Sequence, residues 1–335
     1  MSEMLTQIRT LGDQLRWASE REVPRIGTHS EILFAGMGGS GIVGDYVGAL
    51  AAPHGARVSV HKGYGPVPLW AVRQRPLVLA VSYSGNTEET ISFARAAHES
   101  GLPVATVTTG GTLGEMSTRH SWPSIQVPSG LQPRAALGYG VGAAIKLLEA
   151  SHSIDDQRLS FVESFNFVDQ ALEETSSQWA QAREIADGLG GRIPIVYGGG
   201  RISSVVAQRW KTQVNENAKR PAWYSVLPEL DHNEIVGWEG MRDLTSEHFG
   251  VVALTDPDDH DRVVRRLAHT RELTEDSVPW VGRVASNGTS ALTRLMSLTV
   301  VGDLVSWLLA EAAGVDPVPV ATIEDLKKLL NEEDQ

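Results

Sequence analysis

A chain of 335 residues, 41% hydrophobic and 21% charged, has the length of two ordinary domains and the composition of a globular protein. Its formal net charge of −12, with no basic stripe to offset it, argues against nucleic-acid and anionic-membrane partners. The lack of cysteine excludes disulfides and thiolate chemistry and fits the cytoplasm, and no apolar run approaches the roughly 20 residues a membrane span needs.

Residues 1–28 read as an amphipathic helix and a turn, without the apolar core of a signal peptide. From Ile32 to Val127, short apolar runs alternate with helical stretches. Ile32–Ala35, Val58–Val60, Leu77–Val81, Val104–Thr108 and Ser124–Val127 read as strands. This βαβ rhythm predicts a parallel sheet, whose right-handed crossovers gather the loops after the strands at one edge.

Two of those loops carry chemistry. After the first strand comes Gly36-Met37-Gly38-Gly39-Ser40-Gly41, then an amphipathic stretch. Glycines let backbone N–H groups converge, and a helix N-terminus adds partial positive charge, so this is a turn that suits an anion. The run matches G-x-G-x-x-G, but the next strand ends in His61-Lys62 where a ribose-binding carboxylate would stand. No Gly-Lys-Ser/Thr follows, which excludes a P-loop. After the third strand comes Ser82-Tyr83-Ser84-Gly85-Asn86-Thr87, rich in hydroxyls. Hydroxyls and helix N-termini at two neighbouring strand ends suit a compact phosphate monoester better than a dinucleotide. The plain alternative is a pair of turns with no ligand.

Arg134, in Gln132-Pro133-Arg134, lies just past the fifth strand and so on the ligand edge. Near a sugar phosphate it could stabilise developing enolate charge, and elsewhere it would be a surface ion pair. Residues 154–189 carry no strand pattern and no proline. They read as one long helix of polar linker character between a first domain, 1–153, and a second, 190–335.

The pattern then restarts. Ile193–Tyr197 enters Gly198-Gly199-Gly200-Arg201-Ile202-Ser203, Val251–Thr255 parallels Leu77–Val81, and Val278–Val284 parallels Leu102–Thr108. Offsets of about 160 to 176 residues mark two copies of one α/β unit. In the second copy the hydroxyl loop becomes Thr255-Asp256-Pro257-Asp258-Asp259, whose carboxylates repel a phosphate. One site is therefore expected, in the first copy.

The helix Ser203–Ala218 shows a core stripe at Val206, Trp210 and Val214, and Pro221 stops it. Glu216 lies off that stripe near the C-terminus, where the helix dipole disfavours negative charge. That setting suits a carboxylate which takes and returns a proton, though a solvated glutamate in Asn215-Glu216-Asn217 fits the spacing as well. His232, in Pro228–Glu234, could be an acid/base group, a metal ligand with Glu234, or a turn histidine. No H-x-x-x-H or H-E-x-x-H spacing supports a metal. The last helix, Thr322–Asn331, puts Ile323, Leu326 and Leu330 on one face, with Lys327 flanking it and Lys328 further out.

Together, MGGSGIVGD, SYSGNTEET, PSGLQPRAALGYG and KTQVNENAKRPAW with PELDHNEIVGWEG resemble the sugar isomerase (SIS) domains of bifunctional phosphoglucose/phosphomannose isomerases. The likeness runs from about residue 30 to the C-terminal helix. Its specific part is the Asn-Glu-Asn-Ala-Lys and His-Asn-Glu segments, since the glycine loop alone marks any SIS domain. The resemblance implies an α/β fold of two tandem SIS domains, each a parallel sheet flanked by helices in a flavodoxin-like three-layer sandwich. It also implies a homodimer with sites near the subunit interface and no need of a cofactor, metal or nucleotide. On the same basis, the phosphate of a sugar 6-phosphate falls to Gly39, Ser40, Ser82, Ser84 and Thr87. Glu216 would move a proton between C1 and C2 through a cis-enediol, and Arg134 would stabilise the enediolate. His232, from the neighbouring subunit, would help open the sugar ring. Lys327 matches the family's C-terminal Leu-Lys, with Lys328 beside it, and Thr322 or Ala321 would be the small residue that admits both C2 epimers. The implied activity interconverts glucose 6-phosphate and mannose 6-phosphate with fructose 6-phosphate. A narrower glucose 6-phosphate isomerase and a non-catalytic sugar-phosphate sensor are the competing readings.

Overall fold

In the computed structural model, which describes residues 2–23 and 25–333, the apolar runs become strands of two parallel sheets. Helices α1 (Glu3–Ile8) and α2 (Leu11–Ser19) precede the first unit: β1 (Glu31–Ala35), α3 (Gly38–Ala51), β2 (Arg57–His61), α4 (Leu69–Gln74), β3 (Leu77–Val81), α5 (Glu88–Glu99), β4 (Val104–Thr108), α6 (Gly111–His120), β5 (Ser124–Gln126) and α7 (Leu137–Ala150). Helices α8 (Arg158–Ala171) and α9 (Ser177–Leu189) lead to the second: β6 (Ile193–Gly198), α10 (Ser203–Asn217), β7 (Trp223–Val226), α11 (Glu234–Gly237), α12 (Arg242–His248), β8 (Phe249–Thr255), α13 (Asp261–Thr274), β9 (Trp280–Ala285), α14 (Ala291–Ala313) and α15 (Ala321–Glu333).

The first sheet has the order β2-β1-β3-β4-β5 and the second β7-β6-β8-β9, every pairing parallel. The second thus repeats the first four strands of the first, in the same order. In each, the chain reverses its direction of winding between the first and third strands of the unit. At that switch point successive loops diverge and leave a crevice where α/β sheets bind ligands. The glycine loop and the hydroxyl loop are the two loops of the first switch point.

Besides the N-terminal segment, which is two helices rather than one, three features differ from expectation. Strand β7 went unread because Trp223-Tyr224-Ser225-Val226 forms a half-exposed edge strand without a buried run. The stretch 154–189 is two helices, broken where Ser176 caps α9 by accepting from Trp179 N at 3.2 Å. Nor is it a solvated linker: Phe161, Val168, Trp179 and Ile185 are buried, and both helices pack against α14. Helix α14 is itself the third. Among the described residues it is the one helix long and apolar enough to cross a membrane, yet most of it is buried inside the protein. It fills the space between the units, and a Cβ on Gly302 would lie 2.2 Å from the indole nitrogen of Trp210 on α10. Side chains of both sheets and of α14 form one continuous core.

Candidate active site

The first switch point is built around helix starts that no described side chain caps. Neither α3 nor α5 has a side-chain cap bond at its N-terminus, which suits a helix start to an anion, although Ser40 N already donates to Met37 O at 2.9 Å. Gly38 takes φ +51° to turn the chain into α3. Ser40 stitches the loops together, its Oγ accepting from Tyr83 N at 3.1 Å. Ser82 is fully buried; its Oγ accepts from Gly85 N at 3.1 Å and lies 2.8 Å from Thr87 Oγ1. It therefore holds the loop from within, while Ser84 is exposed and Thr87 half-buried at the surface. Gly85, at φ +72°, allows this turn to press on the next loop, since a Cβ there would meet Gly110 O at 1.8 Å.

Behind Gly39 stands Arg134. An ideal Cβ on Gly39 would lie 3.1 Å from the Pro133 carbonyl and from Arg134 N, so the glycine loop rests directly on the arginine's backbone. The N-terminal helices fix that backbone too: Gln7 Oε1 accepts from Gln132 N at 2.7 Å and Gln14 donates to Ala135 O at 2.8 Å. The Arg134 side chain is 3% exposed and crosses to the second unit. Its Nε donates to Asn217 at 2.7 Å and its Nη2 to the carbonyls of Pro317 and Val318 at 2.6 and 2.9 Å. Nη1 makes only longer contacts, 3.2 Å to Gln132 and 3.5 Å to the Glu216 carboxylate. Burial pulls the guanidinium below the usual arginine range, and Glu216 opposes that shift. The glycine loop, the loosely held Arg134 Nη1 and the Glu216 carboxylate thus form one chain of contacts across the two units.

His232 and Lys327 are not brought to this cluster. His232 is exposed at the end of the short 3-10 helix Glu229–His232, which follows β7 on the carboxyl edge of the second sheet. Helix α10 leaves that same edge and carries Glu216 to the opposite one, about 20 Å away for a helix of this length. Glu234, the alternative metal partner of His232, is occupied: its carboxylate accepts from the hydroxyls of Tyr197 and Ser225. Helix α15 is exposed from Ala321 to Leu330, and Ile323, Leu326 and Leu330 stand 45–57% open to solvent. Lys327 makes no ion pair among the described residues, and Lys328 pairs with Asp325 at 3.2 Å.

Sequence comparison shows the family of the chain. A family model for the bacterial phospho-glucose isomerase C-terminal SIS domain matches residues 179–330. The bifunctional phosphoglucose/phosphomannose isomerase of Caldicellulosiruptor bescii is 37% identical over 307 residues, 90% of either chain. That of Aquifex aeolicus is 33% identical over 332 residues, 98% of this chain and 99% of its own. The chain belongs to the bifunctional phosphoglucose/phosphomannose isomerase family. Among solved structures, the C-terminal domain of glucosamine-fructose-6-phosphate aminotransferase from Francisella tularensis superposes with a TM-score of 0.71, covering 94% of this chain and 98% of its own. At 15% identity that likeness shows the tandem SIS fold alone.

Within this isomerase the second switch point is filled by the protein itself. Ser203 Oγ, in the first turn of α10, accepts from Gly199 N and Gly200 N, both at 2.9 Å, and donates to Asp259 at 3.3 Å. Burial raises the Asp259 carboxyl above its usual range. Asp258 pairs with Arg294 and Arg201, and Asp256 with Arg294. A carboxylate of the chain thus sits where the first copy leaves its loops open.

Four residues that sequence reasoning did not single out lie around the contact of Arg134 with Glu216. Asn217 is fully buried and bridges Arg134 to Ser306, donating to the latter at 2.9 Å. Lys219 follows it at the end of α10. Both lie in Asn-Glu-Asn-Ala-Lys, whose polar density was the available signal. Arg209 donates to Asp303 at 2.7 and 3.0 Å and to the Arg134 carbonyl at 3.0 Å. The signal there was an aspartate inside the apolar run Thr299-Val300-Val301-Gly302-Asp303-Leu304-Val305, since buried carboxylates are paired.

Proposed function

We propose that this isomerase interconverts glucose 6-phosphate and mannose 6-phosphate with fructose 6-phosphate by proton transfer through a cis-enediol. The observation that carries the reading is the contact of Arg134 with Glu216 directly behind the open phosphate loop. The first unit, 1–153, supplies the anchor: Gly39, Ser40, Ser84 and Thr87 with the first-turn N–H groups of α3 and α5. Ser82, being inaccessible, acts by fixing the Thr87 hydroxyl. This anchor is uniform binding that places the sugar. The second unit, 190–335, joined through 154–189, supplies Glu216, which takes the proton from one of C1 and C2 and returns it to the other. Arg134 Nη1, the nitrogen with the loosest bonds, faces the enediolate oxygen as charge develops. No cofactor or metal takes part.

Ring opening requires a proton donor and acceptor that Glu216 cannot be at the same moment. His232 takes that role from the second subunit of a homodimer. The support is its exposure on the edge opposite Glu216, together with the uncovered apolar face of α15, which a second copy would bury. On that docked helix Lys327 reaches the site ahead of Lys328, and Thr322 or Ala321 leaves room for either configuration at C2.

The test is turnover of each aldose phosphate to fructose 6-phosphate by EDTA-treated protein. Both sugars react, at rates unchanged by the chelator. Reaction of glucose 6-phosphate alone makes it a narrower isomerase. Binding of fructose 6-phosphate with no turnover of either makes it a sensor.

A further inference from the structure

Lys219 is a lysine where glycine is the ordinary choice. Helix α10 ends at Asn217 and Ala218, and Lys219 then adopts φ +53°, the left-handed conformation that strains any residue with a Cβ. Such a conformation persists where the surrounding structure over-determines it, and Arg75, Ser121, His152 and Met241 adopt it too, so the case for Lys219 rests on the contacts of its side chain. Here the ammonium turns back to donate to the Glu216 carbonyl at 2.5 Å and reaches the Pro317 carbonyl at 3.2 Å. Arg134 Nη2 donates to that same Pro317 carbonyl at 2.6 Å. Two cations from different units therefore grip one carbonyl beside the carboxylate, on the segment that leads into α15.

We propose that Lys219 is a positioning residue of the isomerase: it ties the end of α10 to the Pro317 segment and so holds the Glu216 carboxylate against Arg134 Nη1 and the reacting carbons. The inference rests on the isomerase reading. The charged groups around the ammonium are Glu216 on α10, Arg134 ahead of α7 and Asp316 before α15. Burial, and then Arg134, pull the ammonium below the usual lysine range. The charge that holds the clamp is complete below that lowered value and disappears as pH rises through it. The wild-type kcat accordingly falls on the alkaline side before an ordinary lysine would titrate.

The experiment compares Lys219→Gly, Lys219→Met and Lys219→Arg by steady-state kinetics on fructose 6-phosphate across pH, and by thermal unfolding. Lys219→Gly is expected to unfold at the same or a higher temperature, because glycine adopts the left-handed turn freely. Its kcat nonetheless drops about tenfold or more, the scale of a misplaced reacting group. KM moves less than about twofold, because the phosphate anchor is untouched. Lys219→Met loses kcat similarly and loses the alkaline limb. Lys219→Arg, whose charge does not titrate, keeps most of kcat and shifts that limb to higher pH. Wild-type kcat and pH dependence in both Lys219→Gly and Lys219→Met, with the wild type active, overturn the positioning role alone. A wild type that turns over neither sugar overturns the isomerase reading and this role with it.

Discussion

Glu216→Gln lowers kcat for both aldose phosphates by about 10²–10⁴-fold and leaves fructose 6-phosphate binding within about twofold. The carboxamide keeps the size of the side chain and an oxygen to accept from Arg134 Nη1, now 3.5 Å from the carboxylate. What it loses is the ability to hold the proton in transit. Binding is spared because the proposed phosphate contacts are on the loops Gly39–Ser40 and Ser82–Thr87 of the other unit, whose hydrogen bonds among the described residues do not involve Glu216. Steady-state kinetics and calorimetric titration of the variant with fructose 6-phosphate separate the two effects. Turnover at the wild-type rate would remove Glu216 from the chemistry.

The second large effect is on stability. Asp303→Leu strands the Arg209 guanidinium, 2% exposed between α10 and α14, without its counter-ion and costs about 3–5 kcal/mol. Gln213 loses a partner as well, since its amide donates to the same carboxylate at 2.9 Å. The double variant Arg209→Met with Asp303→Leu recovers most of that loss, because neither buried charge remains to be desolvated. Urea unfolding of the single and double variants measures both. The double variant stays less active than wild type, for the Arg134 carbonyl no longer has the donor that held it at 3.0 Å. Costs that simply add in the double variant would show that the pair is not coupled.

Strands buried on both faces were the easiest part of this fold to read. Leu77–Val81 and Val104–Thr108 came out with their observed ends because every residue in them is buried, so the first is a continuous apolar run and the second is broken only by β-branched threonines. The edge strand β7 lacks that pattern and was lost. The break between α8 and α9 hides in Glu174-Thr175-Ser176-Ser177, residues that a helix surface tolerates as readily as a cap. The glycine and hydroxyl loops were legible as candidates for an anion because their residue pattern is local. The meeting of Arg134 with Glu216 was not, since the two belong to different units and only folding brings them together. For these two, residue types and position named candidates but left an ion pair and a solvated glutamate as alternatives, and family resemblance favoured the catalytic reading.

The central claim is that a carboxylate carries the proton between C1 and C2 in a site shared by the two units. Proton NMR of the aldose phosphates formed from fructose 6-phosphate in D₂O tests it most directly. A proton parked on Glu216 exchanges with solvent, so deuterium is expected at C2 of both glucose 6-phosphate and mannose 6-phosphate, and only with Glu216 present. Products carrying protium alone at C2, or undiminished exchange in Glu216→Gln, would contradict the account.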